Sequence, residues 1–141
     1  METLHLSYEV AGGDLSRAGE ASSSVKQALR KLGYDLDTVR RVSVCMYEGE
    51  INMVIHAGGG TASVDVGLDR ITIVLEDHGP GIPNVEQAMQ AGFTTAGDSV
   101  RDLGFGAGMG LPNMRKYSDS MAIDSAVGAG TKVTMVIRVP E

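Results

Sequence analysis

Two spacings divide this chain. In some stretches apolar residues alternate with polar ones, the mark of a strand with one buried face. In others they recur every three or four positions, the mark of an amphipathic helix. Residues 4–10, Leu-His-Leu-Ser-Tyr-Glu-Val, alternate and predict a half-buried strand. Gly12-Gly13 breaks it, and Asp14 stands where a helix N-cap would. Leu15, Ala18, Val25, Ala28, Leu29 and Leu32 follow at helical spacing, and Gly33 suits the position just past a helix end. Asp37 is a second N-cap candidate, opening a helix over about 38–56 that Gly58-Gly59-Gly60 stops. Strands are predicted over 62–68 and 71–76, joined by a hairpin at Asp69-Arg70. The second, Ile71-Thr72-Ile73-Val74-Leu75, is the more continuously apolar, which predicts a central place in the sheet. Asn84-Val85-Glu86-Gln87 resembles a capping box and starts a short helix to about Ala91. The polar stretch 92–103 reads as a long loop of the kind that forms lids. A helix over about 109–118 and strands over 120–125 and 131–139, turned by Gly128-Ala129-Gly130, complete the pattern. No repeat or shift of composition divides it, so a single domain over residues 1–141 is expected.

Composition changes the picture in three ways. Hydrophobic residues make up 43% of the 141 positions and charged residues 21%, as in a soluble globular domain with its own core. No apolar run is long enough to span a bilayer, and the start, Met1-Glu2-Thr3-Leu4-His5, predicts no signal peptide, so a cytoplasmic protein with no membrane partner is expected. The formal charge of −6 argues against direct nucleic-acid binding, and an acidic chain that binds an anion has to do so locally. The single cysteine, Cys45, lies in an apolar segment and reads as a buried structural thiol.

Candidate chemistry begins in the predicted helix 38–56. Val44, Ile51 and Ile55 share a face, with Tyr47 and Val54 beside them. Glu48, Asn52 and His56 follow at four-residue steps and form a polar ridge along the border of that face. A carboxylate so near a core costs free energy unless it is paired or put to use. A solvated helix border would also look like this, and His56 near the end could be a cap. Glu50 points elsewhere on the wheel, toward solvent. Gly49 is unfavourable in mid-helix by about 1 kcal/mol, with nothing in the sequence to explain it.

A second signal is Glu76-Asp77-His78-Gly79-Pro80-Gly81-Ile82-Pro83. A carboxylate ends an apolar strand and a glycine-rich turn follows, so Asp77 would face whatever lies beneath the turn. Gly79 and Gly81 would let a flat ring approach the backbone. The carboxylate could accept from an exocyclic amine such as adenine's. Asp, Gly and Pro are also ordinary turn residues.

The third signal is Gly104-Phe105-Gly106-Ala107-Gly108-Met109-Gly110-Leu111, feeding the helix that carries Pro112 to Tyr117. Glycines allow positive φ and close approach of a ligand, and a helix N-terminus offers free N–H groups to an anion. A loop folded over nucleotide phosphates fits. The Gly-x-x-x-x-Gly-Lys phosphate loop is excluded because no lysine follows, and the dinucleotide fingerprint because no strand precedes and the third glycine comes one place early. A glycine run alone is more commonly a linker; what lies upstream argues otherwise.

Taken in order, Glu48-x-x-x-Asn52, Asp77-x-Gly79-x-Gly81 and Gly106-x-Gly108-x-Gly110-Leu111 resemble the N, G1 and G2 boxes of the GHKL ATPase superfamily, which includes gyrase B, Hsp90, histidine kinases and MutL. Within it, the short length and the Asn52…His56 pair resemble the bacterial anti-sigma-factor serine/threonine kinases. The stretches 76–83, 92–95 and 106–112 are similar to the switch kinases of stressosome pathways. The resemblance implies an α+β fold, a two-layer α/β sandwich (the Bergerat ATP-binding fold) with helices on one face of a mixed, mostly antiparallel sheet. It implies ATP and Mg²⁺ as cofactors, with Asn52 ligating the metal, Glu48 activating the attacking hydroxyl and Asp77 holding the adenine amine. Gly79 and Gly81 would shape the adenine pocket; Gly106, Gly108 and Gly110, with Leu111, would form the lid over the phosphates. Thr131, after Gly128-x-Gly130, would support Asp77 and a water at the adenine, and Arg101 could lend a lid cation. The implied activity is phosphorylation of a STAS-type anti-anti-sigma or antagonist protein in a partner-switching pathway, with a sigma factor or a phosphatase as a further partner. The alternative is a nucleotide-dependent protein-binding regulator without kinase activity.

Overall fold

A computed structural model describes residues 4–13, 15–81, 89 and 110–140. The predicted N-cap Asp14, the short helix from Asn84, the lid loop with Arg101, and Gly106 and Gly108 lie outside the described residues.

Among the described residues five strands form one sheet: β1 (Leu4–Ala11), β2 (Gly59–Val66), β3 (Arg70–Asp77), β4 (Ser120–Ala126) and β5 (Gly130–Arg138). They lie in the order β1-β2-β3-β5-β4, so the most apolar strand is indeed central. Every ladder is antiparallel, so the described residues contain no parallel pair of the mixed sheet expected above. Alternation puts Val64, Val66, Ile71, Ile73, Leu75, Val133, Met135 and Ile137 on one buried face.

Among the described residues three α-helices cover that face: α1 (Glu20–Lys31), α2 (Leu36–Asn52) and α3 (Gly110–Tyr117). The result is a two-layer α+β sandwich. Helix α1 begins later than the spacing predicted, because Leu15–Arg17 form a separate 3-10 turn and Gly19, at φ 96°, sits at the cap. Its end is as expected: Gly33 adopts φ 87°, and the N–H groups of Gly33 and Tyr34 donate to the carbonyls of Arg30 and Leu29. Helix α2 is capped by Asp35 rather than Asp37. The Asp35 carboxylate accepts from the backbone N–H and the hydroxyl of Thr38, which holds its pKa below the usual value. Past Asn52 the helix widens into a π-helical turn, Met53–Ala57, ended by Gly58 at φ 72°.

The buried face of α2 also differs from the one read off the wheel. Ile51 and Val54 are buried as expected, but so are Val39, Val42, Cys45, Met46 and Met53, whereas Val44 and Ile55 are only partly so and Tyr47 is exposed. The sheet meets α2 along a line through Gly49. A Cβ there would lie 1.9 Å from Leu75 Cδ1, so the glycine that weakens the helix is what lets β3 approach it.

Glu50 is corrected most sharply. It is 2% exposed, and its two carboxylate oxygens accept from the backbone N–H groups of Ala21 and Ser22, each at 3.1 Å. Helix α1 opens on a glycine with no side chain to cap it, and Glu50 from α2 supplies the missing acceptor.

Candidate functional site

Asp77 is the last residue of β3 and shares the inward parity of Ile71, Ile73 and Leu75, which turns it toward the helix layer. Register pairs it with Thr131 on β5, and Thr131 in turn with Ser125 on β4, so three polar residues form a row across one end of the sheet. Asp77 Oδ1 accepts from Gly79 N at 2.9 Å and from Thr131 N at 3.2 Å. Ser125 Oγ and Thr131 Oγ1 are 2.8 Å apart. Among the described residues both hydrogen bonds to the carboxylate go to the same oxygen, which leaves Oδ2 for an amine donor. Gly60 lines the same end: a Cβ on it would come within 2.9 Å of Met53 Sδ and 3.1 Å of Asp77 Cβ.

Gly79 binds Asp77 through its N–H, as an aspartate-led turn should. Gly81 has a structural reason to be glycine. At φ 80° its missing Cβ would lie 2.2 Å from the Ala126 carbonyl oxygen, so it accommodates the β4–β5 hairpin turn. Gly128 N donates to the Pro80 carbonyl at 2.8 Å and ties the two turns together.

The second half of the site lies at the end of α2. Asn52 is the last α-helical residue before the π-helical turn, a distortion common at functional sites. Its amide sits against the first residue of α3: a Cβ on Gly110 would be 3.0 Å from Asn52 Nδ2 and 3.1 Å from Oδ1. The last glycine of the run therefore lets the start of α3, where a helix's first N–H groups have no intrahelical partner, close onto Asn52. Leu111 is buried in the core and anchors that start, so its backbone rather than its side chain faces the site.

Glu48 lies one turn before Asn52 and is half-buried. Burial raises its carboxyl pKa above the ordinary glutamate value, partly offset by a hydrogen bond with the Asn113 side chain of α3. Glu48 and Asn52 of the predicted ridge thus border the core and both meet α3; the side chain of His56, the third, lies outside the described residues. Cys45, one turn earlier, donates to the Met114 carbonyl at 3.6 Å, and burial pushes its thiol up to about 12, so it is no nucleophile.

Asn113 and Ser125 escaped the sequence reading. Ser125 was legible in principle, since the tight turn at 127–129 places it opposite Thr131. Asn113 had no local signal, because its role depends on how α3 packs on α2.

The family of histidine kinase-like ATPase domains matches residues 13–137. This chain belongs to that family. The serine/threonine-protein kinase RsbT of Bacillus subtilis is a relative 29% identical over 115 residues, covering 79% of this chain and 80% of RsbT. The anti-sigma F factor of Clostridium beijerinckii is 31% identical over 121 residues, 82% of this chain and 81% of that one. The histidine kinase-like fold recurs in the RsbU and RsbW domains of Rv1364c from Mycobacterium tuberculosis, with a TM-score of 0.60, 16% identity, and coverage of 99% of this chain and 33% of that one. The mycobacterial sensor histidine kinase MprB gives a TM-score of 0.54 at 16% identity, covering 96% and 98%. At that identity the likeness speaks for the fold.

The site fits the nucleotide and metal this family implies. Asn52 presents an amide oxygen, a hard donor suited to Mg²⁺, beside a helix N-terminus suited to phosphate. The described residues contain no cluster of three or more His, Cys, Asp or Glu side chains able to hold a metal. Magnesium bound through one protein oxygen, phosphates and water requires none. No helix among the described residues is long and apolar enough to cross a membrane.

Proposed function

We propose that this chain is an ATP-dependent protein serine/threonine kinase of a bacterial partner-switching pathway, acting in the cytoplasm as a single ATPase domain on a STAS-type antagonist protein. The contact of Asn52 with Gly110 carries the reading. It brings the metal-ligand candidate, the N-terminus that would hold phosphates and, one turn away, the candidate base Glu48 to one place. The names of the relatives, a serine/threonine-protein kinase and anti-sigma factors, support the same class.

Bound Mg-ATP supplies the phosphoryl group and the cation that neutralises charge as it moves. Asp77 accepts the adenine amine through Oδ2, while Gly79 and Thr131 hold Oδ1 in place. Asn52 offers Oδ1 to the metal, and the N–H groups opening α3 face the phosphates. Glu48 accepts the proton of a substrate hydroxyl at its carboxylate, and Asn113 orients that carboxylate. Burial favours such a base, since a raised pKa makes the carboxylate a stronger proton acceptor. A sigma factor or a phosphatase is the further partner this class would engage.

Calorimetric titration with ATP, with and without Mg²⁺, tests the pocket. Asp77→Asn keeps an oxygen for both backbone N–H groups and replaces Oδ2 with a donor, so this variant should fold normally and lose nucleotide. Unchanged affinity in it would refute the adenine assignment. Glu48→Ala should keep nucleotide and lose transfer to the protein substrate; retained transfer would remove Glu48 as the base. A regulator without kinase activity would bind nucleotide and transfer nothing, and would have no use for the cost of burying Glu48.

A further inference from the structure

The seam between α2 and α3 runs from the candidate base to a cluster of cations. Along it Glu48 meets Asn113, Cys45 meets the Met114 carbonyl, and Arg41 Nε donates to the Tyr117 carbonyl at 3.0 Å. The two helices are therefore antiparallel, and Arg41 lies seven positions, or about 10 Å, from Glu48 along α2.

At that end two cations share one ring. The guanidinium of Arg40 and the ammonium of Lys116 each lie 5.4 Å from the centroid of Tyr117, and Arg40 Nη2 donates to the Tyr117 hydroxyl at 3.2 Å. Arg41 is paired with Asp119 at 2.9 Å. Among the described residues neither Arg40 nor Lys116 has a carboxylate within ion-pair distance. Both are exposed, on a chain that carries 18 acidic against 12 basic residues.

Packing accounts for part of this arrangement, since Arg40 ties α2 to α3 through Tyr117. Lys116 in the last turn of α3 complements the helix dipole, but Arg40 lies in the second turn of α2, where the dipole gives a cation nothing. Placing like charges around one aromatic ring costs Coulomb energy that a neutral residue at either position would avoid. Tyr117 holds both charges in a fixed direction instead of leaving them to swing in solvent.

We infer that Arg40, Lys116 and Tyr117 form a docking surface for an acidic face of the protein substrate, beside its acceptor hydroxyl. The inference rests on the kinase reading above and specifies where the substrate protein binds and with what charge. The dimensions agree: a standard interface covers about 800 Å² per partner, a disc roughly 16 Å in radius, so one centred on Glu48 includes the pair. Charge complementarity selects the occupant, because opposite charges speed encounter and an acidic kinase would otherwise repel an acidic partner.

The test uses the whole chain and a fluorescein-labelled peptide of six glutamates and one serine, followed by anisotropy without ATP. The wild type should bind it at 50 mM salt and release it at 300 mM, as a screened contact must. Arg40→Glu with Lys116→Glu should abolish binding, and the pair of glutamines at the same positions should weaken it. Arg30→Glu with Lys31→Glu, at the exposed end of α1, should leave it unchanged. No binding by the wild type, equal loss in the α1 control, or binding to phosphatidylglycerol vesicles in preference to the peptide would overturn the inference. With a STAS-domain protein that accepts phosphate from the wild type, the charge reversal should lower kcat/KM about tenfold at low salt, with Mg-ATP affinity unchanged. Unchanged kcat/KM would also overturn it. Because the peptide assay needs no catalysis, its outcome separates this surface from the kinase reading, which stands or falls on Glu48→Ala.

Discussion

Replacing Gly49 with alanine tests whether the sheet sets the height of α2 above the site. A Cβ at this position would lie 1.9 Å from Leu75 Cδ1, about 1.5 Å inside ordinary van der Waals contact. On an exposed helix the change would gain about 1 kcal/mol. Here overpacking opposes it by about 1–3 kcal/mol, and Leu75, buried between β2, β5 and α2, has little room to move aside. The expected net effect is a loss of about 1 kcal/mol. A double-mutant cycle isolates the cause. Leu75→Ala alone should cost about 2–5 kcal/mol through the cavity it leaves, and that cavity lies where the methyl added by Gly49→Ala would point. The double variant should therefore be more stable than the sum of the single losses predicts, by about 1–2 kcal/mol. Urea unfolding of the four proteins, followed by circular dichroism, gives the numbers. Additivity within about 0.5 kcal/mol would refute the idea that the two side chains compete for one space. The same proteins report on function. Gly49 lies between Glu48 and Asn52, and Leu75 lies two residues before Asp77, so their contact sets the separation of the Asn52 and Asp77 ends of the candidate site. Gly49→Ala should weaken Mg-ATP binding, and adding Leu75→Ala should recover part of it.

Three further outcomes are expected. The raised pKa of Glu48 means the folded state favours the neutral carboxyl; that contribution is present below the unfolded value and lost as pH rises through the folded one. Glu48→Gln should therefore raise the melting temperature near pH 7, with the gain fading below about pH 4; a gain independent of pH would contradict the burial argument. Glu50→Ala should cost about 2–4 kcal/mol, because two N–H groups lose a charged acceptor, and Glu50→Gln should cost less; equal losses in urea unfolding would contradict the capping role. With its thiol near 12, Cys45 should react with iodoacetamide about a thousandfold more slowly at pH 7.5 in the native chain than in urea, and rapid native labelling would contradict its burial.

Much of the fold could be read from local pattern, because strand alternation and the glycine at the end of α1 are properties of a few neighbouring residues. The central place of β3 followed from its continuous apolar run, and the site ridge of Glu48 and Asn52 from spacing on one helix. Asp77 was legible as a carboxylate closing a buried strand. The failures share a cause. Asp35 and Asp37 flank the start of the helix, one before it and one in its first turn, and the Thr38 hydroxyl, which decides between them as the cap, acts only once the turn has formed. Glu50 looked solvated because the wheel was centred on Val44, Ile51 and Ile55, although Val42, Met46 and Glu50 follow at four-residue steps on the side that packs inward. Its partners are backbone N–H groups about thirty residues away, and no helical periodicity announces those. Asn113 and the reason for Gly49 were hidden likewise, since each exists only where two elements touch.

The capping of α1 by Glu50 has a consequence for how the chain is made. Synthesis delivers residues 20–31 before Glu50 exists. A helix of 12 residues is marginal on its own in water, and this one opens on a glycine with its first N–H groups bare. Helix α1 is therefore expected to stay unsettled on the ribosome until α2 has emerged far enough to present its carboxylate. Its partner strand waits too, because β1 pairs with β2, which is made later still. The first third of the chain takes its shape from the second, so the stretch that carries Glu48 and Asn52 is the one on which the amino-terminal elements assemble.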